Sequence, residues 1–272
     1  MRNLLLVFLM VILSNSTALG AKTNWVDIGL GAKMRLISSD KLNSDSSVMI
    51  GLEMKMPKGV KTYWRIPGEA GIPLQLDIKS KENNMLHQIF WPFPLREEKY
   101  GYIDYVYYGN QVFPIKIKLD AKEQSQLIKV DIFLGICANI CIPVKETLEL
   151  KLDFKKLDRS QNSRLNLAMS LVPINWDKKE IPIKHAIINV KTSQLEILVD
   201  PDKLDPLSLI ADYDELDVLF SLPHYSLTNS IVSFNLLDKN MISDMMDKPV
   251  RLTFQTSDGA YEVFLKTRIV NE

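Results

Sequence analysis

Cys137 and Cys141, in Leu-Gly-Ile-Cys-Ala-Asn-Ile-Cys-Ile-Pro-Val, are the only two cysteines of this 272-residue chain. Two thiols separated by three residues can close an intrachain disulfide with little backbone rearrangement, because a bend brings their Cα atoms within the range the bond tolerates. Two chemistries then compete: a structural bond, or exchange, in which a thiolate attacks a disulfide sulfur. In the chain-entropy picture a closed loop of about five residues contributes roughly 2 kcal/mol, against roughly 4 to 5 kcal/mol for a loop near 100 residues. A pair this close is a poor staple, which favours exchange.

The N-terminus bears on the redox compartment. Met1-Arg2-Asn3, the apolar run Leu4 to Leu13, the polar Ser14 to Thr17 and the small-residue pattern Ala18-Leu19-Gly20 together read as a secretory signal over residues 1–20, with the mature chain starting at Ala21. That run is too short to span a bilayer, and no later stretch reaches the roughly 20 apolar residues a membrane helix needs, so no stable membrane insertion is expected. In an oxidising compartment such a cysteine pair is a disulfide by default.

A soft Cu(I) site built from Cys137, Cys141 and the thioethers of Met54, Met56 or Met85 is a second reading. No methionine cluster flanks the cysteines, and His87, His185 and His224 lack ligand spacing. No metal or cofactor is therefore expected. A redox-inert scaffold that binds proteins through a sheet edge is the third reading. Hydrolase and nucleotide chemistry have no motif to stand on: there is no Gly-x-Ser-x-Gly, His-Glu-x-x-His, P-loop or dinucleotide fingerprint. Carboxylate pairs such as Glu97-Glu98 and Asp214-Glu215 are ordinary in a chain with 33 acids balanced by 33 Lys and Arg, and that balance argues against nucleic acid or an anionic membrane as partner.

The elements that must hold the pair have period two. Val48, Ile50, Leu52, Met54 and Met56 alternate with Met49, Gly51, Glu53 and Lys55; Ile128, Val130, Ile132 and Leu134 alternate with Lys129, Asp131 and Phe133; Leu148, Leu150, Leu152 and Phe154 alternate with Thr147, Glu149, Lys151 and Asp153. All three predict half-buried strands, with the cysteines in the connection between the last two. Pro57, Pro67, Pro73, Pro92, Pro94 and Pro114 exclude long helices between them, and an antiparallel sandwich follows.

From Asp158 the character changes. Residues 158–174 predict a linker with a short helix, carried by Leu165, Ala168, Met169 and Val172 and stopped by Pro173. Alternation resumes at Leu195, Ile197, Val199 and at Val250, Leu252, Phe254, and Thr256-Ser257-Asp258-Gly259 predicts a hairpin closed at Asp-Gly. The expected organisation is an export signal over 1–20, a β-sandwich with the cysteine pair over 21–157, the linker, and a second β domain over 175–272. Trp64, Trp91, Tyr63, Tyr102, Tyr105, Tyr107 and Tyr108 are read mainly as sandwich filling and bracing of proline-rich turns. Arg65 is read as a surface salt-bridge former.

The ordered set Tyr63-Trp64-Arg65-Ile66-Pro67-Gly68, Trp91-Pro92-Phe93-Pro94, Tyr100-Gly101, Val112-Phe113-Pro114-Ile115 and Cys137-x-x-x-Cys141-Ile142-Pro143 resembles the N-terminal periplasmic domain of the DsbD thiol:disulfide interchange family, on the side of its ScsB relatives. The resemblance covers roughly residues 30 to 155, and the second β domain resembles the matching part of ScsB-type proteins more loosely. It implies a periplasmic, immunoglobulin-like β-sandwich whose Cys137 and Cys141 pass electrons to partners of thioredoxin fold, with Cys141 forming the mixed disulfide and Tyr100 and Gly101 in the cap loop. The cysteine spacing is shorter than in DsbD, and no multispanning membrane domain follows. The resemblance therefore implies that reducing equivalents come in trans, from a separate membrane electron donor or a thioredoxin-like protein.

Overall fold

The structure, a computed structural model, describes residues 22–69, 71–81, 83–99, 102–119, 125–153, 159–214 and 216–271. The export signal expected over residues 1–20 lies outside them. The first sandwich is built from β1 (Val26–Gly29), β2 (Ala32–Leu42), β3 (Ser47–Lys55), β4 (Lys61–Gly68), β5 (Gln75–Ser80), β6 (Asn83–Asn84), β7 (His87–Ile89), β8 (Leu95–Lys99), β9 (Tyr102–Tyr108), β10 (Asn110–Lys118), β11 (Ser125–Cys137) and β12 (Cys141–Asp153). One sheet runs β1-β2-β3-β10-β7; the other runs β6-β5-β11-β4-β9-β8, with β12 paired to β11. This is an immunoglobulin-like β-sandwich. Its core is the apolar set the alternation marks, including Val48, Ile50, Leu52, Ile128, Val130, Leu150 and Leu152.

β12 behaves as its sequence predicts, with Leu148, Leu150 and Leu152 buried and Thr147, Glu149 and Lys151 exposed. β3 does not. Helix α1 (Arg159–Met169) packs on β2, β3 and β10, and so covers the outward face of β3. Leu165 lies against Gly51, and Glu53 is buried between Arg35 at 2.6 Å and Arg164 at 2.5 Å. The helix also ends before Val172. Pro173 disfavours helical backbone at the residue before it, and the chain leaves through two tight i→i−3 bonds, Leu171 N to Ala168 O and Val172 N to Met169 O.

The second sandwich comprises β13 (Ile174–Asn175), β14 (Ile183–Asn189), β15 (Gln194–Val199), β16 (Ile210–Asp212), β17 (His224–Ser226), β18 (Ile231–Asn235), the short helix α2 (Ile242–Met245), β19 (Pro249–Thr256), β20 (Gly259–Lys266) and β21 (Arg268–Val270). Its sheets run β13-β20-β19-β16 and β17-β18-β15-β14-β21, around Ile188, Leu195, Ile197, Phe234, Leu252 and Phe254. The β19–β20 hairpin forms, but its two-residue loop is Ser257-Asp258, with Gly259 paired to Thr256, so it closes one residue earlier than predicted. The two sandwiches are in contact, and Ile210 of β16 sits in the core of the first. Arg65, expected on the surface, is half-buried at that junction and salt-bridged to Asp212 at 3.0 Å. Among the described residues no helix is long and apolar enough to cross a membrane.

Candidate redox site

β11 and β12 form one long hairpin. Thirteen residue pairs, from Ser125↔Asp153 to Cys137↔Cys141, keep it in register, so the last residue of one strand and the first of the next face each other with Cα atoms 4.1 Å apart. The two sulfurs are bonded. The connecting Ala138-Asn139-Ile140 is exposed, Ile140 to 64%, and is pinned by Ala138 N donating to Ile140 O. Position makes the sulfurs unequal. Cys137 is flanked on its other side by Lys61 of β4 and packs against Tyr63 and Val106, leaving it 1% exposed, whereas Cys141 opens to solvent at the end of the hairpin.

Lys61 and Tyr63, two apart on β4, share a face of the strand, and both belong to the site. The Tyr63 hydroxyl donates to Cys137 Sγ at 2.8 Å and approaches Cys141 Sγ at 3.5 Å. The Lys61 ammonium lies 5.6 Å over the Tyr63 ring and bonds both Glu97 Oε2 and Asp104 Oδ2, the latter at 2.8 Å. Glu97 and Asp104 face each other across β8 and β9, an arrangement of like charges that needs a cation between them. Tyr108 completes the cluster by donating to Glu97 Oε1 at 2.6 Å. The second oxygen of Asp104, Oδ1, is buried and has no hydrogen-bond partner among the described residues.

The electrostatics follow from burial and pairing. Burial opposes the Lys61 ammonium, but its bonds to Asp104 and Glu97 together outweigh that cost and hold its pKa above the ordinary lysine value. Burial likewise works against the Glu97 carboxylate, and the Lys61 and Tyr108 bonds reverse it, keeping Glu97 below the usual range. Burial raises the Tyr63 pKa even against the opposing pull of Lys61, and burial together with the bond to Glu97 pushes Tyr108 up to about 12. Tyr63 therefore stays protonated at neutral pH and is a standing donor to Cys137. A hydrogen bond to sulfur favours the thiolate over the thiol.

Of the residues singled out from sequence, Cys137 and Cys141 are brought together, while Tyr100 and Gly101 lie outside the described residues. Met54 and Met56 are buried in the first core and Met85 packs against it, while the cysteine sulfurs are bonded to each other. Trp64, Tyr105 and Tyr107 do fill the sandwich. Tyr63 is equally buried, in a separate cluster with Val106 and Cys137, half-buried Tyr108 bonds Glu97, and the sequence alone does not single out Lys61, Glu97 or Asp104. The Lys-x-Tyr spacing on one strand was a usable signal; nothing in the sequence pointed to Glu97 rather than any other acid.

The hairpin thus carries a bonded cysteine pair at one end of an immunoglobulin-like sandwich. Residues 33–153 match the family described as thiol:disulfide interchange protein DsbD, N-terminal, and the first sandwich is a domain of that type. The solved N-terminal periplasmic domain of ScsB from Proteus mirabilis is similar over both sandwiches, with a TM-score of 0.69 at 22% identity, covering 91% of this chain and 99% of that one. At that identity the likeness is one of fold. No curated protein sequence matches the chain.

Proposed function

We propose that this protein is a periplasmic thiol:disulfide interchange protein that passes electrons through Cys137 and Cys141 to partners of thioredoxin fold. The observation that carries the reading is the asymmetry of the pair: one exposed cysteine, Cys141, beside one buried cysteine, Cys137, whose sulfur accepts a hydrogen bond from Tyr63. In the reduced protein the Cys141 thiolate attacks the partner disulfide and expels one partner sulfur as thiolate, forming a mixed disulfide. Cys137 then loses its proton and attacks Cys141 Sγ. The Cys137–Cys141 bond closes, the second partner sulfur leaves, and the partner, after protonation, is a dithiol richer by two electrons and two protons. A membrane-embedded electron donor reduces the pair for the next cycle. Tyr100 and Gly101 fall in sequence between β8 and β9, the strands that bear Glu97 and Asp104, and act as the cap over the pair.

The test is the reduction potential of the pair in the mature protein, equilibrated against glutathione or dithiothreitol buffers and read by thiol alkylation. A value above roughly −250 mV, the range of exchanging oxidoreductases, supports a carrier; one below about −300 mV marks a structural bond and sinks the proposal.

A further inference from the structure

Two arginines join the second sandwich to the strands that carry the redox site. Arg65 stands two residues beyond Tyr63 on β4. There the β4–β9 ladder breaks: five steps along β4, Tyr63 to Gly68, lie against two along β9, Val106 to Asp104. The excess chain carries Arg65 across to the second sandwich, where it bonds Asp212 Oδ2 and Thr253 Oγ1, both at 3.0 Å, with its guanidinium 3.8 Å over the Trp64 ring. Arg96 stands one residue before Glu97 on β8, and donates to the carbonyl oxygens of Leu207 at 2.7 Å and Leu209 at 2.6 Å. Asp212 is 0% exposed, and its other oxygen takes two bonds from Arg251, at 2.8 and 2.5 Å. A buried carboxylate shared by two guanidiniums fixes direction as well as distance.

We propose that Arg65, Arg96 and Asp212 are positioning residues for disulfide exchange: the second sandwich holds β4 and β8 at the separation where Lys61 spans Glu97 and Asp104 and Tyr63 reaches Cys137. The inference rests on the proposed redox function. Side chains alternate along a strand, so fixing Arg96 on one face fixes the backbone that aims Glu97 on the other, and Arg65 does the same for Tyr63 through two residues of β4. The tolerance is small, because hydrogen bonds weaken steeply beyond about 3.2 Å. The step affected is closure: Cys137 gives up its proton, its thiolate attacks Cys141 Sγ of the mixed disulfide, and the partner thiolate departs. Among the described residues, the charged and titratable groups around the pair are Lys61 and Tyr63 from β4, Glu97 from β8, and Asp104 and Tyr108 from β9.

The experiment uses the full mature chain, reduced with dithiothreitol, freed of it, and mixed with oxidised glutathione; ring closure is followed by thiol alkylation across the thiol titration range. Thermal unfolding of each protein is measured alongside. Arg96→Ala and Asp212→Asn are expected to slow closure at neutral pH roughly ten-fold, within the penalty of about 100-fold that a 1 Å misplacement can bring, and to move the rate–pH curve to higher pH. Arg96→Lys, which can keep one carbonyl bond, recovers part of the rate. Lys203→Ala, which removes only an exposed pair with Glu180 and Asp200, superimposes on wild type. If Asp212→Asn fails to fold, Arg96→Ala decides alone. A folded Arg96→Ala protein with the wild-type rate and pH curve overturns the inference and leaves the redox function standing. A wild-type pair that exchanges with neither reagent overturns both.

Discussion

At the scale of single residues, the two sulfurs have different tasks and are separable by reactivity. In Cys137→Ser the lone Cys141 thiol is expected to alkylate at once in the native protein, while in Cys141→Ser the lone Cys137 is protected until unfolding; equal native rates would remove the basis for assigning Cys141 to the mixed disulfide. Tyr63→Phe keeps the ring and loses the donor. It should slow exchange while lowering stability by only about 1 kcal/mol, the worth of one hydrogen bond, and a chevron or urea titration beside the kinetic assay separates the two effects. Lys61→Met leaves Glu97 and Asp104 facing each other without a cation, and roughly 2 to 4 kcal/mol of stability should go with it. Glu97 has a lowered native pKa, so the stability it lends is present above the ordinary glutamate pKa of about 4.3 and is lost as pH falls below it. Melting temperatures of wild type and Glu97→Gln, well apart at neutral pH, should therefore converge on acidification. The cysteines were legible in the sequence because their type and spacing are rare. The Lys61, Glu97 and Asp104 triad was not, because alternation along a strand says which face a side chain takes and nothing about which strands become neighbours.

At the scale of elements, the site depends on how β4 departs from β9. Gly68 closes that bulge at φ +91°, and a Cβ there would stand 1.9 Å from Ile103 O. Gly68→Ala combines a left-handed backbone with a backbone clash and should cost at least roughly 2 kcal/mol, read as a fall in the urea midpoint. β11 and β12 were legible as strands because Leu148, Leu150 and Leu152 sit on a sheet wetted on one face. β3 was legible as a strand but not as one covered on both faces, since Gly51 and Glu53 read as solvent-facing until α1 is laid over them. The end of that helix was overextended for a local reason: the apolar spacing runs on to Val172, while the backbone constraint of Pro173 acts on the residues just before it.

At the scale of the whole molecule, length and composition allow two β units or one large one, the change of pattern near Asp158 reads as the start of a second, and neither marks a junction. Arg65 and Asp212 lie 147 residues apart in sequence, and no local pattern announces such a pair. With Ile210 in the core of the first sandwich and Asp212 shared between Arg65 and Arg251, the two units are expected to melt in a single calorimetric transition; two transitions in the wild type would mean that the junction is weaker than its contacts indicate. The long β11–β12 hairpin carries a further consequence. Its register is set by backbone pairs reaching from Ser125↔Asp153 to the cysteines themselves, none of which needs the sulfur–sulfur bond. Opening that bond removes none of these backbone pairs, so the oxidised and reduced proteins are expected to share nearly the same outline, with little of the scaffold to rebuild between them. A partner that distinguishes the two forms has to read the sulfurs and the three residues between them, in the way a contact reads a switch whose housing never moves.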